Sequence, residues 1–544
     1  MKKSLVRVAV SCVTALSLLL ASCGRAPQNG QTTTVDKQQK DRVQIAVTNQ
    51  LLSMNPIISD ASEVMKYAVG LSFLPLVELD ADKNMELLLL ESIETQDNKV
   101  YKLKLREGLK WSDGQPLSTE DVAFTLEKIT SAVISNPAMS IWGALEGLDD
   151  ATATHPDDQP VSGIKVLSST EMELHFKSPV GKLTLESSLL RYLNPVPKHL
   201  LGKMSTEELK TTDWFNKPEV VSGPYIPQEV DPSHYVSYTA NKNYWKGEPK
   251  IKTLNIRIYS DASGLLAGLQ SGEVDFVQPT MASFPQDDVA SLAKIDRVEV
   301  SYDKPLTNQL LFFNTRNVTD ARVRQAMAYA IDRESLVKQL LGGQGQVTDG
   351  FINAGSLFNG KKDEKALPYN PDKAKELLQA AAWKQDKALV FKINAGDSGM
   401  TLAADIIASQ LAAVGIQVQV QKVDFNNLLT AANKHDFDML AVQYTLSPTD
   451  PFPDVQYLVS GEDNWTGYHS EALDKLLPTV QAADESNLDE MRGAYAQIDK
   501  IMQEDMPLIN LYVLSNPGVH AKALKGAKSS IYGFFNNVHE WSWD

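Results

Sequence analysis

The run in this chain most like a catalytic device is Gly396-Asp397-Ser398-Gly399, a serine hydroxyl set between glycines beside a carboxylate. A serine nucleophile also needs a placed histidine and a second carboxylate, and the triad such a loop serves sits on paired β-barrels. The segments around Ser398 have helical spacing instead, so the chain is not expected to be an enzyme. Metal chemistry fares no better. His155, His175, His199, His234, His435, His469, His520 and His539 are scattered, with no HExxH and no paired ligand spacing. No metal site and no cofactor are expected.

Cysteine chemistry is confined to the N-terminal end, where the chain's two cysteines, Cys12 and Cys23, both lie. Lys2, Lys3 and Arg7 precede an apolar run over 8–20, too short to span a bilayer comfortably but suited to a signal peptide. Leu20-Ala21-Ser22-Cys23 resembles the lipobox of bacterial lipoproteins. That resemblance implies that residues 1–22 are a removable signal and that Cys23 carries a diacylglyceryl group anchoring the protein to the membrane. With Cys12 removed no disulfide can form, so the exported fold must be held by core packing. Residues 23–40 are polar and read as a flexible tether, which would hold the body about 20–25 Å from the membrane. Loss of three signal-peptide cations takes the formal charge from −16 to −19. Such a chain repels phosphate backbones, so no nucleic-acid partner is expected.

The elements that must position any site are those of an α/β protein. Residues 100–105 alternate apolar and basic, as a half-buried strand does. Asp113-Gly114 supplies a turn. Ser118 and Asp121 form a capping box with Leu117 stapled to Val122, and Val122, Leu126 and Ile129 make one apolar stripe. Strands are predicted at 42–47, 86–94, 309–314, 388–393, 416–420, 439–444 and 507–513. Helices are predicted at 62–73, 320–341 and 402–414, the second as one continuous helix. Strand–helix–strand order of this kind favours layered sheets flanked by helices.

Eight runs then carry a resemblance: WSDGQPLSTEDVAFTLE, VSGPY, NKNYWKGEPKI, SGEVDFV, LLFFNTRN, DARVRQAMAYAIDRESLV, NPDKAKELL and YTLSPTDPFPD. In this order they resemble the extracellular solute-binding proteins of oligopeptide ABC transporters, the dipeptide/oligopeptide/nickel class. The resemblance implies a two-lobed, periplasmic-binding-protein-like clamp (type II, large peptide-binding class) with an extra α+β domain inserted in lobe one. The implied divisions are lobe one at 41–80, 216–303 and 514–544, the insert at 81–215 and lobe two at 304–513. It implies a monomer on the outer face of a bacterial membrane, Gram-positive by preference, that passes an oligopeptide to ABC permease subunits.

In such proteins an extended peptide lies between the lobes and bonds to strand edges. The resemblance points to Gln443, Tyr444, Thr445, Leu446 and Asp450, then Asn464, Trp465 and Tyr468, with Leu51, Leu52 and Trp142 from the other lobe. Many members hold the peptide ammonium with an Asp four residues before the loop proline. That position before Pro451 is Ser447 here, leaving Asp450 and Asp454 as the nearby carboxylates. Trp111 and Trp245 are read as scaffold. The departure at Ser447 leaves open a nickel chelate, haem or an oligosaccharide on the same fold, or a peptide pheromone as ligand.

Overall fold

Arg42–Val47 follows its exposed first residue with five buried ones, the burial of a strand covered on both faces. It pairs in parallel with Thr253–Ile258 on one side and Phe276–Val277 on the other. The computed structural model describes residues 41–544 apart from 49–50, 52, 59–62, 135–141, 158, 283, 285, 303–306, 344, 351, 353–355, 357, 359–365, 448–449, 462–463 and 482–486. The signal, Cys23, the tether and Leu52 therefore lie outside the described residues.

Around that strand stands a seven-stranded sheet, in the order Val298–Tyr302, Pro517–Ala521, Phe276–Val277, Arg42–Val47, Thr253–Ile258, Tyr235–Ala240, Tyr225–Asp231. A second, five-stranded sheet runs Val418–Val423, Leu389–Asn394, Met439–Thr445, Thr307–Phe313, Leu508–Leu514. The chain passes between the two sheets after Tyr302 and again between Leu514 and Pro517. Two neighbouring crossovers of this kind are how a hinge joins two lobes. A four-stranded sheet of Leu90–Thr95, Val100–Leu105, Glu171–His175 and Ile164–Val166 stands apart from both. The protein is a two-lobed α/β clamp carrying an additional α+β unit.

Local chemistry explains the frame of that unit. Val100–Leu105 buries Tyr101, Leu103 and Leu105. The helix Thr119–Ile129 starts where the Asp121 carboxylate accepts the Ser118 N–H at 2.9 Å, with Leu117 and Val122 both buried beside it. Trp111 is fully buried and Trp245 lies under the Arg106 guanidinium, 5.1 Å from ring centre.

Two predicted elements are corrected. The stretch 320–341 is two helices, Ala321–Ala330 and Arg333–Leu340. Ile331 leaves the helical region at ψ 116°, and the Asp332 carboxylate accepts the Ser335 N–H at 3.0 Å to start the second helix. Asp competes with the helix in this way wherever its side chain can cap. The predicted strand 86–94 is also two, Met85–Leu87 and Leu90–Thr95, in different sheets. Between them the N–H groups of Leu88 and Leu89 both donate to the Leu76 carbonyl, which turns the chain.

Candidate ligand-binding site

Met439–Thr445 is buried as far as Val442 and half-buried beyond. Thr307–Phe313 pairs with it over its whole length, from Thr307 opposite Thr445 to Phe313 opposite Met439. Leu389–Asn394 pairs with its other edge only over Met439–Ala441. Past Ala441 that edge has no strand partner among the described residues. An unpaired edge of N–H and C=O groups is a template for an extended chain.

The edge leads into a turn that carries two carboxylates. Asp454 accepts the Ser447 N–H at 2.9 Å and the Tyr444 hydroxyl at 3.0 Å. Asp450 accepts the Phe452 N–H at 2.9 Å, the Tyr495 hydroxyl at 3.3 Å and the Thr184 hydroxyl at 2.5 Å. Pro451 opens the short helix Phe452–Val455, whose first turn holds Asp454. Asp450 is 0% exposed and Asp454 7%. Among the described residues neither forms an ion pair. Burial pushes the Asp450 carboxyl up to about 6 against the pull of its Thr184, Phe452 and Tyr495 bonds. Burial, with Asp450 adding repulsion, pushes Asp454 up to about 7. Two desolvated carboxylates without a cation are costly to ionise.

A cationic and aromatic cluster packs against this turn. Lys66 and Arg191 both pair with Glu78, and all three side chains are buried. Burial opposes the Glu78 charge, but Arg191 and Lys66 beside it hold its carboxyl below the usual range. Arg191 lies over the Tyr532 ring at 5.0 Å, and the Tyr532 hydroxyl donates to the Leu446 carbonyl at 3.2 Å. Burial, and then the charge of Asp454, raise the Tyr444 hydroxyl well above its usual range. Lobe two therefore meets the rest of the chain at this point through Tyr532 to Leu446, Thr184 to Asp450, and the Gly181 N–H to the Gln481 carbonyl at 3.1 Å.

Gln443, Tyr444, Thr445, Leu446 and Asp450 come together here. Gln443 donates to Asp397 at 3.0 Å, and the Thr445 and Thr307 hydroxyls are 2.9 Å apart. Asn464, Trp465 and Tyr468 form a packed turn of their own. The Asn464 amide holds the Gly461 and Tyr468 carbonyls at 2.7 and 2.9 Å. Trp465 packs edge-on against Phe312 and Tyr457, and its indole donates to Asn433 at 2.9 Å. The Tyr468 hydroxyl donates to Asp505. Leu51 is buried in the apolar core around Leu254 and Tyr67, and Trp142 is 0% exposed in the core it shares with Leu145 and Phe176. Thr184, Tyr192, Arg191, Tyr495 and Tyr532 were not singled out from sequence, because nothing in their spacing links them to the loop they contact. The nucleophile-like run is a helix start: Asp397 caps Ser398–Ala413 by accepting the Met400 N–H at 2.8 Å, so that helix begins before the predicted residue 402.

A two-lobed α/β clamp is the form of a bacterial solute-binding protein. The sequence profile of the bacterial extracellular solute-binding proteins, family 5 Middle, matches residues 84–466, and the chain belongs to that family. It is a family of transport components, not enzymes. The oligopeptide-binding protein AppA of Bacillus subtilis (strain 168) is 27% identical over 491 residues, 86% of this chain and 85% of the relative. The nickel-binding periplasmic protein of Escherichia coli (strain K12) is 24% identical, over 73% of this chain and 74% of the relative. Among solved structures, Bacillus subtilis AppA in complex with a nonapeptide superposes with a TM-score of 0.80 at 24% identity, covering 92% of this chain and 99% of that one. NikZ of Campylobacter jejuni in complex with Ni(L-His) gives 0.77 at 24% identity, with the same coverage. No described helix is long and apolar enough to cross a membrane.

Proposed function

We propose that the protein captures extended oligopeptides at the bacterial surface and delivers them to the membrane subunits of an ABC importer. The observation that carries this reading is the buried carboxylate pair Asp450 and Asp454 beside an open strand edge. A peptide supplies what both features lack, main-chain groups for the edge and an α-ammonium for the carboxylates. Asp454 is the better partner for the ammonium. Its oxygen takes the Ser447 N–H at 2.9 Å, so its charge stands at the very residue where many relatives carry their Asp.

Closure of the lobes excludes water, which strengthens each of these polar contacts. The ligand favours closure only through contacts it makes in the closed state. Thr184, which reaches Asp450 from the inserted unit, couples the carboxylate pair to that closure, and Tyr444 holds Asp454 in place within lobe two. The proposed lobe divisions are 41–80, 216–303 and 514–544 against 304–513, with an insert at 81–215; the seven-stranded sheet falls within the first set and the four-stranded sheet within the insert, while the hairpin of Val77–Leu79 and Met85–Leu87 crosses the 80/81 division. Anchoring through Cys23 and a monomeric state complete the proposal.

Native mass spectrometry of the purified chain tests it. Co-purified heterogeneous peptides are expected; one defined peptide would instead mark a sensor. A metal chelate, haem or a sugar with no peptide would overturn the reading.

A further inference from the structure

Leu311 and Phe313 on one strand, with Ala441 and Met439 opposite them, form the apolar row on one face of the lobe-two sheet. Toward the Thr307 and Thr445 ends, on the same face of the same strands, the row turns polar. Gln309 stands opposite Gln443 on one side and opposite Tyr512 on the other, and Thr307 stands opposite Thr445. Directly opposed residues share a face, with Cβ atoms about 4.5–5.5 Å apart. Gln443 extends the row to Asp397, to which it donates at 3.0 Å.

Gln309 is the anomaly. Its side chain is 0% exposed, and neither its amide nitrogen nor its amide oxygen has a hydrogen-bond partner among the described residues. A buried primary amide with both functions unmet is among the costlier things a core can hold, and calls for an explanation. Asp397 does not supply one. Its carboxylate already takes the Met400 N–H and the Gln443 amide, and burial raises its carboxyl above the usual range.

We propose that this row is a side-chain subsite for a primary carboxamide, the side chain of Asn or Gln, on the bound peptide. It rests on the peptide reading above, since Gln443 lies on the stretch whose outer edge is open. The choice of ligand follows from the inventory of Gln309. A carboxylate would meet only its N–H groups and an ammonium only its carbonyl. A second primary amide meets both at once, in a cyclic pair. Discrimination of this kind is strong because a peptide lacking the amide leaves the buried groups unpaired.

The test uses calorimetry on the full folded chain with tetra-alanine and with three peptides carrying Gln at position two, three or four, each matched by a Leu control. One Gln position is expected to bind at least tenfold tighter than Ala or Leu there. In Gln309→Met, a near isostere, that ratio should fall to about one. The thermal midpoint of ligand-free Gln309→Met should be no lower than that of the parent, since an unmet buried amide is removed. Binding of tetra-alanine with no amide preference at any position, or a preference that survives Gln309→Met, overturns the subsite and leaves the peptide reading standing. Binding of none of these peptides overturns both. A hinge or water role for Gln309 would appear as an altered midpoint with an unaltered Gln-to-Ala ratio, which also overturns the subsite.

Discussion

Peptide affinity should fall by about a hundredfold between pH 8 and pH 5 if only Asp454 must be ionised to bind, and on the order of a thousandfold if Asp450 must be ionised too. The arithmetic comes from burial. Asp454 is pushed up to about 7 and Asp450 to about 6, because neither has a cation to offset desolvation. A ligand ammonium pairs with a carboxylate, so protons compete with the ligand. Each group costs about tenfold in affinity per pH unit below its own pKa and nothing above it. Two units below Asp454 therefore account for the first factor, and one unit below Asp450 adds about ten. A terminal ammonium itself loses its proton near pH 8, which sets the upper limit of the window. Calorimetry with tetra-alanine at fixed ionic strength would read the profile, with circular dichroism at each pH to confirm the fold. The limiting slope separates one carboxylate from two: about tenfold per pH unit for one group and about a hundredfold per unit once pH is below both. An affinity that is flat across this range, or that falls only near pH 4, would refute the idea that a buried carboxylate holds the ammonium.

The ligand-free protein should show the opposite trend. A carboxyl whose folded pKa is raised adds stability that is complete below its unfolded value near 4 and is lost as pH rises through about 6 to 7. The ligand-free Tm should thus be higher at pH 5 than at pH 8, while the rise in Tm produced by peptide should be larger at pH 8. Thr184→Val removes the hydroxyl that reaches Asp450 from the inserted unit, a bond to a charged acceptor worth about 1.5–3 kcal/mol. Peptide should bind roughly ten- to a hundredfold more weakly, read by calorimetry; an unchanged affinity would remove this bond from the closed state. Trp142→Ala should cost about 3–5 kcal/mol in denaturant unfolding, as loss of a fully buried indole does. The variant's Gln-to-Ala peptide ratio should match the parent's, and a changed ratio would return Trp142 to the ligand site.

Much of the frame could be read from local patterns. The strand at Val100–Leu105 alternates, and the helix after Ser118 has its cap and stripe in consecutive residues, so neighbours alone define them. The break at Ile331 was hidden because the apolar spacing of 320–341 runs through it; Asp332 acts as a cap only once its neighbour has left the helix. The split near Leu88 depends on the Leu76 carbonyl, twelve residues away, and leaves no local mark.

The site divides in the same way. Gln443 to Leu446 and Asp450 are contiguous on one strand and its turn, and so were within reach of a motif. The partners that give them their electrostatics are not. Thr184 lies 266 residues from Asp450, and Tyr495 lies 45 residues beyond it. Asp454 was visible as a nearby acid, but its hold on Ser447 depends on the fold of the turn between them. The unmet amide of Gln309 is likewise a property of register, since only pairing sets it against Gln443 and Tyr512.

The most direct test of a buried carboxylate reading a peptide ammonium compares tetra-alanine with its N-acetylated form by calorimetry at pH 7.5. Acetylation keeps every main-chain group and removes the charge alone. The account predicts a loss of about a hundredfold or more, the penalty of leaving a desolvated charge unpaired. Equal affinity for the two peptides would contradict it.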